Sequence, residues 1–267
     1  MGDKIADGRA THAGEPKQSK AGHPPLRPKD AATLVIVDWS KPDPAILMGR
    51  RHMDQVFLPG HYVFPGGRVE AADRTTPLAS ELSPVQVESL MLEMRGRPSR
   101  ARATALAVAA VRETYEETGF LIAGAFEGGQ RLSIGTSEAW VPALSNGVAP
   151  ALRELVYFAR AITPPGRPRR YDTRFFAISR SAVTSEGSMG GDGELEDLAF
   201  RTLAEARGLK LPSITRLVLE DINRLADAGF TRPDGPPPVP ETYEIPFYFQ
   251  SNGSFQRALL SRTESIP

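Results

Sequence analysis

Residues 105–119 read ALAVAAVRETYEETG, and the second half of that run decides how the chain is interpreted. Small apolar residues lead into Arg112, Glu113, Glu116 and Glu117, on what reads as the last turns of a helix. Glu113, Glu116 and Glu117 stand at i, i+3 and i+4, so their carboxylates share one face. Side by side they repel one another, and negative charge near a helix C-terminus is mildly unfavourable. A hard divalent cation takes carboxylate oxygens as ligands and converts that repulsion into binding. Upstream, Phe64-Pro65-Gly66-Gly67 supplies a tight glycine loop that can lie against the helix.

The pairing of this loop with R-E-x-x-E-E-x-G resembles the Nudix box of the Nudix hydrolase superfamily. The family pattern runs Gly, five residues, Glu, seven residues, then R-E-U-x-E-E-x-G-U, where U is a bulky aliphatic residue. Gly67 takes the first position, and Arg112, Glu113, Glu116, Glu117, Gly119 and Phe120 take most of the second half. Asp73 stands where the first Glu belongs, Thr114 replaces an aliphatic residue, and Phe120 only roughly fits the last position. Residues 74–111, 38 positions, separate the two halves, so the box is split. The split box, FLPGHYVFPGG (57–67), ITPPGRPRRYDTRFF (162–176) and GELEDLAFRTLAEA (193–206) are together similar to one branch of the superfamily, which contains a mammalian peroxisomal coenzyme A diphosphatase. A coenzyme A signature of other members is matched at Leu47, Met48, Arg51 and Gly60, but His52 and Val56 depart from it.

The resemblance covers about residues 28–225 and implies an α+β fold, the Nudix α-β-α sandwich with a mixed sheet, here with a helical insertion within the box. It implies Glu116 and Glu117 as Mg²⁺ or Mn²⁺ ligands, Glu113 as a further ligand or water-orienting group, and Arg112 as the partner that holds Glu113. Gly66 and Gly67 would let the backbone pass close to metal and helix, and they are counted among the substrate-binding residues. Carboxylate-held cations neutralise a diphosphate and assist in-line attack of water on one phosphorus. The expected activity is therefore hydrolysis of the diphosphate bond in a nucleoside diphosphate linked to another moiety. Coenzyme A or acyl-CoA comes first, and ADP-ribose or a nucleotide sugar is the alternative. A non-catalytic ligand sensor on the same fold is the competing class, and the intact Arg112/Glu113/Glu116/Glu117 set argues for the enzyme. Glu194, or Glu196 beside it, is the candidate general base, although acids in such a loop also read as simply solvated. Arg51 and the basic loop with Arg167, Arg169 and Arg170 are candidates for phosphate or adenine contacts, or in the loop's case a charged tip. Arg174 faces the cleft or pairs with Asp172; Asp73 is an outer-shell group or a turn cap.

Around the box, residues 1–28 are polar and Gly/Pro-punctuated and read as a disordered tail, residues 29–230 as the Nudix domain with an insertion at about 74–100, and residues 231–267 as a Pro-rich linker and C-terminal extension. Thr33–Val37 and Ala45–Met48 read as a hairpin, and Tyr62–Phe64 as a short extended piece. Ser83-Pro84 opens a helix through Val87, Leu90, Met91 and Met94; Ser99 caps the next one, which Gly119 ends. That first helix is expected to cover one side of the glycine loop. A short helix near Glu138–Leu144, strands at 155–162, 171–178 and 195–202, a helix at 203–207 and helical periodicity from Pro212 follow. Ser185–Gly193 reads as a flexible loop, and Tyr243–Phe249 as one strand-like piece that would suit a homodimer contact.

The 267 residues carry 32 Lys and Arg against 32 Asp and Glu, so no global basic field points to nucleic acid. Zero cysteines exclude disulfides, thiolate catalysis and Cys-based zinc sites. The four histidines lack partners at helical ligand spacing. No apolar run approaches the roughly 18–20 residues of a membrane span, and no signal-peptide core is visible. The sequence is read as that of a cytoplasmic protein whose partner is a small-molecule nucleoside diphosphate derivative, with neither membrane nor nucleic acid involved.

Overall fold

The computed structural model describes residues 26–40, 42–55, 57–126, 137–186, 193–227, 243–251 and 253–261. Most of the tail at 1–28, the tip of the 185–193 loop and the 232–240 linker lie outside them. The central strand is β1 (Lys29–Asp38), a β-branched run buried on both faces, which explains why it shows no alternation. Its second half pairs antiparallel with β2 (Ala45–Arg51), and β3 (Tyr62–Val63) pairs with β2. Its first half pairs instead with β4 (Gly66–Arg68), with Thr33 opposite Gly66 and Ala31 opposite Arg68. The glycine loop thus sits inside the sheet, flanking β1.

Helix α1 (Pro84–Met91) starts at Ser83, whose hydroxyl accepts from Gln86 N, and α2 (Arg100–Thr118) starts at Ser99, which accepts from Arg102 N. Gly119 ends α2 with φ 76°, a conformation glycine adopts without Cβ strain. Short β5 (Phe120–Leu121), β6 (Ala123–Ala125), α3 (Val141–Ser145) and β7 (Val148–Pro150) follow, with β6 paired to β7. Then come β8 (Val156–Ile162), β9 (Tyr171–Ser179), β10 (Ser185–Glu186, paired with β5), β11 (Leu195–Thr202), α4 (Leu203–Arg207) and α5 (Ser213–Asp227). The chain closes with β12 (Ile245–Ser251) and β13 (Ser254–Leu260).

The described strands build a nine-stranded mixed sheet in the order β11-β2-β1-β9-β8-β12-β13, with β3 and β4 beside it. β1 runs parallel to β9, and β12 parallel to β8. Leu34, Ile36, Phe176 and Ile178 bury one face under α1 and α2, and Val35, Val37, Phe175 and Ala177 bury the other under α4 and α5. These are the α-β-α layers of the expected fold.

Two expectations change. α1 packs on α2 and β8, and β8 lies across β9 from β1 while β4 lies on the other flank. The insertion therefore covers the β8 side of the sheet and leaves the glycine loop to α2. The C-terminal piece is a hairpin, because Ser254–Leu260 turns back on Ile245–Ser251, and β12 pairs with β8 of its own chain.

Candidate active site

The acidic end of α2 is held against β4 by contacts that only glycine permits. Gly66 N donates to Glu117 Oε2 at 2.9 Å. A Cβ on Gly66 would lie 2.6 Å from Thr33 Cα, and one on Gly67 would overlap the Glu113 carboxylate. Gly66 is thus required by the close passage of β4 beside β1, while Gly67 leaves the space that the Glu113 carboxylate occupies.

Arg112 is the hub, 2% exposed. Its Nε and Nη2 donate to the two carboxylate oxygens of Asp73 at 2.8 and 3.2 Å, and Nη2 also reaches Arg68 O at 3.1 Å. Its Nη1 donates to Glu116 Oε2 at 2.7 Å and lies 3.0 Å from Glu113 Oε1. Asp73 itself is buried, and its 3₁₀ turn (Ala72–Arg74) lets it also accept from Glu70 N at 2.7 Å. That turn presents the Asp73 carboxylate to Arg112. Thr114 is accommodated at an aliphatic position because its hydroxyl donates to Ala110 O within the helix. Phe120 fills the other variant position, packed in the core against Phe200.

Three carboxylates, from Asp73, Glu113 and Glu116, therefore surround one guanidinium, with Glu117 beside them on Gly66 N. Burial pushes Glu113 up to about 7, opposed by Arg112 and reinforced by Glu116. Burial also raises Glu116, and it raises Glu117 well above the carboxylate range despite the Gly66 N–H. Carboxylates perturbed in this way and gathered at one loop–helix contact make it a candidate functional site. Among the described residues no three acidic or histidine side chains converge on one point as a formed metal site. Glu116 turns toward Arg112 and Glu117 toward Gly66 N, which explains the lack of convergence. The donor set nevertheless suits Mg²⁺ or Mn²⁺: hard oxygen ligands on one helix face, with Glu113 and Glu116 partly exposed at 17% and 31%.

The other candidates divide. Arg51 and Glu194 lie close enough to Glu117 to act on its charge, Arg51 lowering and Glu194 raising its proton affinity. Strand pairing explains this, since Arg51 ends β2 and faces Leu195 on β11. Arg51 Nε also donates to Phe57 O at 2.8 Å. Gln55, which the sequence did not single out, donates to Glu194 Oε2 at 3.2 Å; a lone Gln in a turn carries no signal. Glu196 instead pairs with Arg50 at 3.0 Å and lies near His52. In the basic loop, Arg169 is exposed, while Arg170 donates to Thr163 O at 2.9 Å and Leu26 O at 2.7 Å. Arg170 is thus engaged with backbone through Nε and Nη1. Arg174 is fully buried and pairs with Asp172, so it does not line the cleft.

No protein-family model matches the sequence. The fold is similar to the crystal structure of a Nudix hydrolase from Alicyclobacillus acidocaldarius: 26% identity, TM-score 0.54, covering 73% of this chain and 90% of that one. More distant structures include the Nudix domain of Shewanella oneidensis NrtR complexed with ADP ribose, at 9% identity and TM-score 0.43, covering 75% of this chain and 90% of that one. A MutT Nudix hydrolase from Burkholderia pseudomallei matches at 15% identity and TM-score 0.42, over 74% of this chain and 99% of that one. With the glycine loop and acidic helix of the box brought together in one mixed sheet between helices, the chain has the fold of the Nudix hydrolases.

Proposed function

We propose that the protein is a Mg²⁺- or Mn²⁺-dependent diphosphatase acting on a nucleoside diphosphate linked to another moiety, with coenzyme A or acyl-CoA as the first substrate to test. The observation that carries this reading is the seating of Gly66 and Gly67 against Glu117 and Glu113, beside an Arg112 already saturated with carboxylates. Glu113, Glu116 and Glu117 would hold the cation, which when bound supplies positive charge against the diphosphate oxygens. The protein's own part is positioning and charge placement. Arg112 opposes the rise that burial causes at Glu113 and Glu116 and holds both carboxylates at the end of the helix, and Arg51 offers a cation near Glu117 for a phosphate oxygen. Glu194, oriented by Gln55, would take the proton of the attacking water as the P–O–P link opens, leaving two phosphate-bearing products. Coenzyme A ranks first on the resemblance of residues 47–67, and ADP-ribose or a nucleotide sugar second because His52 and Val56 depart from that signature.

The decisive assay incubates the protein with Mg²⁺ or Mn²⁺ and coenzyme A, an acyl-CoA, ADP-ribose and a nucleotide sugar. One of them is expected to be cleaved at the diphosphate, with at least about a hundredfold loss of kcat in Glu116→Gln. Undiminished turnover in that variant would remove Glu116 from the machinery. No turnover of any member would return the chain to ligand sensing.

A further inference from the structure

Away from the acidic end of α2, its first turn closes over a second buried charge network. Asp30 on β1 accepts from Nε and Nη2 of Arg102, and Asp172 on β9 accepts from Nε and Nη2 of Arg160, both at 2.8 Å. Arg174 lies between them, with Nη1 donating to Asp172 Oδ1 at 2.8 Å and to Asp172 O at 2.9 Å, and 3.6 Å from Asp30 Oδ1. Arg160 Nη1 also donates to Glu93 O at 2.9 Å in the segment that follows α1.

The side-on edge of a guanidinium, Nε with Nη2, is the fork that matches an oxyanion. Arg102, Arg112 and Arg160 each fill that fork with an aspartate. Arg174 does not: its Nε and Nη2 are buried and have no partner, in a side chain that is 0% exposed. Two orphaned charged donors in the interior are costly, and native folds rarely leave them so. The charge is unbalanced as well, with Arg102, Arg160 and Arg174 facing only Asp30 and Asp172. Glu93 acts on Arg160 and Arg95 on Asp172, and these two flanking charges offset each other. A water molecule in the fork would satisfy the donors and leave the excess charge; a small anion answers both.

We propose that Arg174 holds a small monovalent anion, chloride under cellular conditions, between Nε and Nη2 in the interior beneath the start of α2. The anion would complete a fastening that ties α1, the first turn of α2 and the ends of β1, β8 and β9 together. Crystals grown or soaked with bromide test this on the unaltered protein: an anomalous peak is expected within hydrogen-bonding distance of both nitrogens. An anomalously silent water there, or no density, overturns the proposal. In solution, Tm is expected to rise as chloride replaces gluconate at constant ionic strength, and this dependence is expected to vanish in Arg174→Met. Retention of the full chloride dependence in that variant would also overturn it. If Arg174→Met does not fold, the bromide experiment decides alone.

Discussion

At Gly67 a single added methyl group reaches Glu113, one of the proposed cation ligands. Its Cβ would overlap the Glu113 carboxylate, the mobile end of a side chain, with no backbone among its nearest contacts. Gly67→Ala should therefore displace Glu113 while leaving the fold intact. If Glu113 serves the proposed hydrolysis, kcat should fall by about a hundredfold, since displacement of a catalytic group by an ångström carries roughly that cost. Tm should shift by only a few degrees. Kinetics and thermal melts on the same preparation check this; a large drop in Tm with normal kcat would mean that Gly67 serves the fold instead. At this scale the sequence was informative where spacing carried the signal. Glu113 lies against Gly67 and Glu117 accepts from Gly66 N, and Asp73 proves to be the buried counter-ion of Arg112. It was less informative for arginines. Arg170 and Arg174 look alike in RRYDTRFF, yet one serves backbone carbonyls and the other a buried aspartate, because strand register and loop closure choose their neighbours.

Elements were legible where caps punctuate them. Ser83, Ser99 and Gly119 mark the ends of α1 and α2 because each satisfies terminal backbone groups locally, with no tertiary information needed. Where α1 would pack was not legible, since that depends on strand order. The packing of α5 on the C-terminal hairpin is likewise tertiary, and it centres on Asp221. This side chain is 1% exposed, accepts from Tyr248 OH at 2.7 Å and lies 3.2 Å from Arg224 Nη1. Burial outweighs these partners and pushes its pKa up from 3.8 to about 6. Because the folded state holds this proton more tightly than the unfolded chain, the contribution is present below pH 4 and is lost as pH rises toward 6. The full change is on the order of 3 kcal/mol. Asp221→Asn keeps an acceptor for Tyr248 and removes the titration. Urea denaturation across pH 4 to 7 should show wild-type stability sloping downward relative to the variant. Parallel curves would refute this account of Asp221.

For the molecule as a whole, the C-terminal hairpin is the feature the sequence reading placed least well. Composition isolated residues 231–267 behind a Pro-rich stretch, and nothing in Tyr243–Phe249 alone says which strand it will join. The register answers: Phe247 lies opposite Arg160 on β8, and Tyr248 opposite Ala161. Ile245, Phe247, Tyr248 and Leu260 are buried, with Ile245, Phe247 and Leu260 on the α2 side and Tyr248 on the α5 side. The Arg160 guanidinium stacks 4.5 Å from the Phe247 ring centre, so the hairpin also covers the internal charge network. Removing residues 243–267 would expose the edge of β8, whose seven residues are all buried, and strip the apolar and aromatic cover from Arg160 and Asp221. An unpaired hydrophobic edge strand templates association, and each large buried side chain lost forfeits about 2 kcal/mol of burial. The truncated chain is expected to aggregate or to melt without cooperativity, as read by size-exclusion chromatography and calorimetry. A monomeric truncated protein with the wild-type Tm would mean that the sheet is complete at β8 and that the hairpin is an appendage to the fold.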